Sequence, residues 1–399
     1  MNFLTLRDLD VRGKRVLVRE DLNVPMKNGA VGDETRITAA LPTLRYLIDN
    51  GARVVVLSHL GRPDGKVVPA LSLAPIAKRL GERLGVRVGF VPECVGAACL
   101  AASKALAPGE IVLFENVRFH SEEEANDPLF ARELAASGDL YVNDAFGTAH
   151  RAHASTAGVA ADLPAAAGFL MEAELKALGT LVDHPAHPFV CAIGGSKVAD
   201  KVGVFTHLMD RVDAFVIGGG MANTFLAAQG IDVGTSLRDK DLDPATKIIA
   251  LAKARKVMLH VPSDAVVADG FDADGSAATV DIADVGSRMI LDIGPKSAAR
   301  YAEVLRAAKT IVFNGPMGVY EKAPYREGTR TIGRAIADAT RAGATSIVGG
   351  GDAAAAAHEL GFADAMTHVS TGGGATLEFL EGKTLPGVQA LIDATKAAP

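Results

Sequence analysis

Short apolar runs rich in β-branched residues recur along the chain, and stretches of helical periodicity separate them. In the first half they are KRVLVRED (14–21), ARVVVLSHL (52–60), VRVGFV (86–91), EIVLFENV (110–117) and DLYVNDAF (139–146). In the second half they are PFVCAIGG (188–195), DAFVIGGG (213–220), KVMLHVP (256–262), RMILDIGP (288–295), TIVFNGP (310–316), TSIVGGG (345–351) and THVSTGGG (367–374). Such runs, alternating with helices, predict parallel strands covered on both faces. The expected class is α/β, with one open parallel sheet in each half. A helical segment around 171–182 runs into Pro185 and Pro188, which end a helix and stiffen the chain beyond it, so the divide between halves is placed there.

The predicted strands end in chemistry. Asp21 and Asn23, Ser58 and His59, Asn116 and Arg118, and Asn143 and Asp144 close runs of the first half. In the second half the ends are 194–197, 218–220, Asn314, 349–352 and 372–374, mostly glycine. Open parallel sheets bind ligands outside the carboxyl ends of their strands. Loops are polar in most proteins, but here the opposite strand ends are chemically much duller.

Composition narrows the classes. A chain of 399 residues, 49% hydrophobic, is expected to form two domains. No apolar run approaches the roughly 20 residues of a membrane helix, and Arg7 and Asp8 interrupt the place where a signal peptide would be apolar. Cysteine occurs only at 94, 99 and 191, which fits neither a disulfide framework nor a zinc-ligand pattern and points to a reducing cytoplasm. A net charge of −6 provides no global field for nucleic acid or acidic membrane, so any anion site must be a local constellation.

The first half concentrates cations at its strand ends: Arg19, Arg36, His59, Arg62, Arg118, His150, Arg151 and His153. Arginine forks match carboxylate and phosphate oxygens, and several converging from separate loops would hold a small polyanion. Solvated surface pairing is the alternative for any single arginine. His150 and His153 as metal ligands are disfavoured, because an arginine flanks them and no acidic or thiol partner is near in sequence.

The second half concentrates glycine. In AIGGSKVADKVG, Gly194 and Gly195 precede a predicted helix carrying Lys197 and Lys201, four apart on one face. Like charges at that spacing repel unless a polyanion lies between them; a solvated lysine face is the alternative. Gly349, Gly351 and Ala354 formally meet the dinucleotide pattern G-x-G-x-x-A. Asp352 stands inside that turn, where its charge would repel a pyrophosphate but suit Mg²⁺. EGKT at 381–384 resembles a P-loop end, yet Leu377 occupies its first glycine position. Three consecutive glycines, 372–374, precede a helix-like run and would let an anion reach the unpaired first amides of that helix. Anion-binding arginines in one half and phosphate cradles in the other suggest phosphoryl transfer across a cleft. That chemistry depends on positioning and charge neutralisation rather than on a nucleophilic triad.

At these residues the chain resembles the phosphoglycerate kinase family from end to end. The matching stretches are REDLNVP, DETRI, SHLGRP, ENVRF, NDAFGTAHRAHAS, GGSKVADK, IGGGMANTF, FNGPMGVYE, VGGGD, STGGGATLEFLEGK and LPGV. The resemblance implies two Rossmann-like lobes, each an open, mainly parallel sheet with helices on both faces, separated by a deep cleft. It implies an N-terminal lobe of 1–170 plus 384–399, an interdomain helix and hinge at 171–185, and a C-terminal lobe of 186–383. It further implies reversible transfer of the acyl phosphate of 1,3-bisphosphoglycerate to Mg-ADP, giving 3-phosphoglycerate and ATP. The family expectation is a cytoplasmic monomer acting on small molecules, without nucleic-acid or membrane partners.

Carried over motif by motif, Asp21, Asn23, Arg36, His59, Arg62, Arg118 and Arg151 would hold the glycerate substrate. Lys201, Asn314, Glu321, Gly349, Gly350, Gly351, Asp352 and Ala353 would serve the nucleotide, with Glu321 on the ribose and Asp352 on the Mg²⁺. Arg36, Lys197, Gly372 and Gly373 resemble the groups that neutralise the phosphoryl group in flight. Three positions depart from the family pattern: Glu20 where an apolar residue is usual, Ala353 where a hydroxyl is usual, and Phe313 where tryptophan is common. The alternatives are a nicotinamide-dependent dehydrogenase and a non-catalytic nucleotide- or sugar-phosphate-binding protein.

Overall fold

In the computed structural model, which describes residues 2–27 and 29–397, β1 (Arg15–Arg19) lies at the centre of the first sheet. Its RVLVR sequence buries Val16, Leu17 and Val18 completely. Successive side chains of a strand point to opposite faces, so both faces of the sheet are covered. A hairpin follows, β2 (Met26–Lys27) with β3 (Ala30–Val31), and then β4 (Arg53–Leu57), β5 (Val88–Val91), β6 (Ile111–Phe114), β7 (Leu140–Asn143) and β8 (Ala165–Ala167). The sheet order is β5-β6-β4-β1-β7-β8, and every pairing in it is parallel. Val16, Val18, Val54 and Val56 form one core with Ile37 and Leu44 of helix Thr35–Asp49 and Ile76 and Leu80 of helix Ala74–Leu84.

The remaining strands are β9 (Phe189–Ile193), β10 (Ala214–Ile217), β11 (Met258–His260), β12 (Asp264–Ala268), β13 (Ala278–Asp281), β14 (Met289–Ile293), β15 (Thr310–Asn314), β16 (Thr345–Val348) and β17 (His368–Val369). A second parallel sheet runs β11-β10-β9-β15-β16-β17. The RMILDIGP run departs from expectation: as β14 it pairs antiparallel with β12, inside a separate three-stranded sheet ordered β13-β12-β14. Its last three residues, Asp292 among them, are buried, so it is covered on both faces like a parallel strand while pairing the other way.

Contacts divide the chain into one unit of Met1–Leu175 with Thr384–Pro399 and another of Lys176–Lys383. The division falls inside helix Phe169–Asp183. That helix is anchored at its start by Asp144, whose Oδ1 accepts from the amides of Leu170 (2.8 Å) and Met171 (3.1 Å). The C-terminal helix Pro386–Ala397 belongs to the first unit: Thr395 Oγ1 accepts from Leu4 N at 3.0 Å, and Gly387 N donates to Ala149 O at 2.8 Å. Among the described residues, no helix is long and apolar enough to cross a membrane.

Candidate active site

In the first unit, the segments leaving the carboxyl ends of β1, β4, β6 and β7 supply the candidate anion site. Asp21 Oδ1 accepts from Arg36 Nη1 at 2.8 Å and from Asn23 N at 3.1 Å, and the same Arg36 nitrogen donates to Asn23 O at 3.0 Å. Asn23 Oδ1 accepts from Gly61 N at 2.9 Å, while Arg118 Nη1 donates to Gly61 O at 2.9 Å. Asp21, Asn23, Arg36 and Arg118 are thus tied together through the loop after β4. Arg62, on that loop, and Arg151 are exposed.

His59 lies beneath these groups, 3% exposed. Burial, with Arg19, Arg118 and Arg36 nearby, holds its imidazole well below the usual histidine range, so the ring is neutral. Arg19 Nη2 approaches His59 Nδ1 at 3.1 Å. Guanidinium only donates, so Nδ1 accepts and the proton resides on Nε2.

Arg19 itself proves to be a buried post: Nε donates to Ser155 Oγ at 2.7 Å, and Nη1 donates to Glu20 O. Its carboxylate counterpart is Glu123, fully buried and bonded by the hydroxyl (2.6 Å) and amide (2.8 Å) of Ser155. Glu123 escaped sequence reading because it stands in the acidic run SEEE, which looks like a solvated helix start. His153 is pushed down to about 4, first by burial and then by Arg118, Arg19 and Arg151, so its ring is neutral at physiological pH.

In the second unit the loops after β9, β15 and β16 enclose a cavity of about 320 Å³. It gathers Lys197, Lys201, Asn314, the glycines 349–351, Asp352, Ala353 and Gly373. A larger cavity of about 580 Å³, of mainly apolar lining, shares Gly195, Ser196 and Asp352 with it and carries Glu321 on its wall. An apolar chamber joined to a glycine-lined polar one suits a nucleoside with its phosphates. Leu237 and Phe271, 59% and 49% exposed, also line the larger cavity. Isolated apolar residues carry no sequence signal; Gly195, the 218–220 glycine run, Glu321 and Asp352 were the positions that pointed to this region.

The two lysines are not neighbours on a helix. Residues 196–198 form a loop, a 3-10 turn spans Ala199–Lys201, and the helix begins only at Val202. Asp239 Oδ2 accepts from the amides of Val198 (2.8 Å) and Ala199 (3.3 Å), holding the chain in this opened form. Lys197 is exposed, whereas Lys201 Nζ donates to Gly194 O at 2.8 Å and Asn314 O at 2.7 Å. Burial pushes Lys201 down to about 8, opposed by Asp352 and Asp200. The loop needs glycine at 194, where a Cβ would lie 2.0 Å from Pro316 O.

Asn314 Nδ2 donates to Gly349 O at 2.7 Å, while its Oδ1 is buried without a partner among the described residues. Gly350 has φ of 100°, and helix Gly351–Glu359 starts directly after it with Asp352 in its first turn. The Ala353 methyl is buried in the core with Ala357 and Phe362, leaving its backbone as the part able to meet a ligand. Gly372 N donates to Ser370 Oγ at 3.1 Å, and Gly373 takes φ of 51° before the short helix Gly374–Leu380. The triple glycine forms a tight turn into that helix, with the Gly372 amide engaged by a serine. EGKT lies in the turn between that helix and helix Pro386–Ala397, so a helix rather than a strand leads into it, contrary to P-loop geometry.

The phosphoglycerate kinase family profile matches residues 6–383. A phosphoglycerate kinase of Pelotomaculum thermopropionicum is 54% identical over 391 residues, covering 98% of this chain and 99% of that protein. One of Chloroflexus aurantiacus is 53% identical over 399 residues, covering 99% and 100%. The solved structure of phosphoglycerate kinase from Coxiella burnetii superimposes with a TM-score of 0.90 at 44% identity, covering 99% of this chain and 100% of that one. The enzyme from Pyrococcus horikoshii gives 0.86 at 33% identity, with the same coverage. Two parallel-sheet units with cations at the strand ends of one and glycine-lined cavities in the other agree with these relatives, and the dehydrogenase alternative is not favoured: the chain belongs to the phosphoglycerate kinase family and is a phosphotransferase.

Proposed function

We propose that the first unit binds 3-phosphoglycerate or 1,3-bisphosphoglycerate through Asp21, Asn23, Arg36, His59, Arg62, Arg118 and Arg151, and that the second binds ADP or ATP. What carries the nucleotide reading is the pair of adjoining cavities, one apolar and bordered by Glu321, the other lined by Lys197, Lys201, the glycines 349–351 and Asp352. Asp352 is an exposed carboxylate at the junction of both. A single hard oxygen ligand beside phosphates fits Mg²⁺, which keeps most of its waters; Asp352 would hold it. Bound there, the ion supplies neutralisation of phosphate charge.

In the forward direction a β-phosphate oxygen of ADP attacks the acyl phosphorus, and the bond from phosphorus to the carboxyl oxygen breaks. The carboxylate of 3-phosphoglycerate leaves, and no proton is transferred. The β-phosphate oxygen is already ionised at neutral pH, so no general base is needed. Lys197, with the Gly372 and Gly373 amides, would face the moving phosphoryl group from the nucleotide side and Arg36 from the glycerate side. The Gly372 amide must first leave Ser370 for this role. Reaction requires the attacking and accepting atoms to come within about 3–3.5 Å, which we assign to closure of the units about the helix and hinge at 171–185.

We further read the chain as a monomer and as cytoplasmic; three buried cysteines outside any disulfide support the second reading. The test of function is ATP formation from 1,3-bisphosphoglycerate and ADP, with Mg²⁺ and then with excess chelator. Metal-dependent turnover is expected. Turnover unaffected by the chelator would remove the role given to Asp352, and failure of folded protein to bind either ligand would remove the site assignments.

A further inference from the structure

The carboxyl ends of β5 and β6 carry a second constellation. The two strands pair in parallel, from Val88 opposite Ile111 to Val91 opposite Phe114. Beyond β5 the chain places Glu93 and Cys94, and beyond β6 a 3-10 turn, Val117–Phe119, delivers His120. The bond from Glu115 N to Glu93 O (3.2 Å) keeps the two extensions side by side. Glu93 Oε1 accepts from Cys94 N at 2.7 Å and lies 2.7 Å from His120 Nε2. One carboxylate oxygen, the Cys94 sulfur and one His120 nitrogen all lie within 4.8 Å of one another. Among the described residues they are the one such three-ligand group. The cysteine spacing predicted no metal site because two of the three ligands are not cysteines and the histidine is 26 positions away.

We propose that Glu93, Cys94 and His120 form a binding site for a zinc-class dication, separate from the Mg²⁺ that accompanies the nucleotide. One thiolate, one imidazole and one carboxylate make a mixed donor set that selects zinc and its neighbours over magnesium, which prefers oxygen alone. In a tetrahedral zinc site, ligand atoms stand about 3.5 Å apart, so a small side-chain adjustment closes the group around an ion. Cys94 is 1% exposed, while the His120 and Glu93 side chains are 30% and 44% exposed. An ion can therefore enter past the latter two and reach a sheltered sulfur, with the fourth position left to water. Binding forms the metal–sulfur bond as the Cys94 S–H bond breaks, and that proton passes to solvent. If Nε2 is the ligand, its proton moves to Nδ1 as the hydrogen bond to Glu93 is replaced by two metal bonds. The ion would pin the segment carrying Arg118 to the one following β5.

The test is Co²⁺ titration of the intact protein in excess Mg²⁺, followed by zinc competition against a chromophoric chelator. A near-ultraviolet thiolate-to-cobalt charge-transfer band is expected, saturating at one ion per chain and displaced by Zn²⁺. Cys94→Ser should abolish the band, while Cys99→Ser should leave it. Loss of an outer-shell partner alone typically costs about 10–100-fold in metal affinity, so His120→Ala and Glu93→Gln should each weaken zinc at least about tenfold. His120→Ala, at a partly exposed position, decides the matter if Cys94→Ser does not fold. Absence of the band, its survival in Cys94→Ser, its loss in Cys99→Ser, or undiminished zinc affinity in His120→Ala would overturn the proposal.

Discussion

Glu20 has both carboxylate oxygens buried without a hydrogen-bond partner among the described residues, and Asp144 Oδ2, in the same neighbourhood, is likewise unpaired. Burial first, then the Asp144 charge, raises the Glu20 carboxyl well above its ordinary value, so the folded chain keeps this proton to a higher pH than the unfolded chain does. The unfolded chain gives it up above about 4.3. This contribution to stability is therefore complete below that pH and is lost as pH rises through the native value. An unsatisfied buried polar group costs about 1–3 kcal/mol, so Glu20→Val should stabilise by that order in urea unfolding. Its advantage over the parent should be larger at pH 8 than at pH 5; an equal advantage at both would mean that Glu20 is not protonated in the fold. Lys197 presents the opposite case, an exposed charge with no part in the core. Removing a preorganised transition-state donor costs about 10²–10³ in kcat. Lys197→Ala should do so with little change in nucleotide KM, and an unchanged kcat with a raised KM would restrict Lys197 to ground-state binding.

At the scale of elements, legibility followed how local the determining interactions are. The strands of the two parallel sheets, apart from β8, announced themselves through β-branched runs, and their polar ends pointed to the candidate residues. The edge strand β8 is three alanines, which favour helix by intrinsic propensity and extend only because Tyr141, Val142 and Asn143 of β7 pair with them. The antiparallel partner of β14 was unreadable because pairing direction is a tertiary property. Lys197 and Lys201 kept their cavity but lost their shared helix, since Asp239, some forty positions away, caps the intervening turn. Gly194 tests the importance of that opened loop. A methyl there would press on Pro316 O, and overpacking of this kind costs roughly 1–3 kcal/mol. Gly194→Ala should lower the unfolding midpoint and weaken ADP binding by calorimetry; unchanged ADP affinity would show that loop geometry is not what the phosphates require.

For the whole molecule, the proposed division of substrates between units makes closure a consequence of function. Solution scattering should record a smaller radius of gyration with 3-phosphoglycerate and a nucleotide analogue together than with either alone. No compaction under saturating ligands would remove hinge closure from the mechanism. The C-terminal helix Pro386–Ala397, packed in the unit that begins the chain, carries a different consequence. Synthesis proceeds from the N-terminus, so the unit begun first is the last to be completed. The segment Lys176–Lys383 is contiguous and can emerge from the ribosome with all its partners, whereas the Thr395 side chain that receives Leu4 N is made almost four hundred residues later. The first 175 residues of the nascent chain therefore remain without their last helix while the segment Lys176–Lys383 is translated and becomes able to fold.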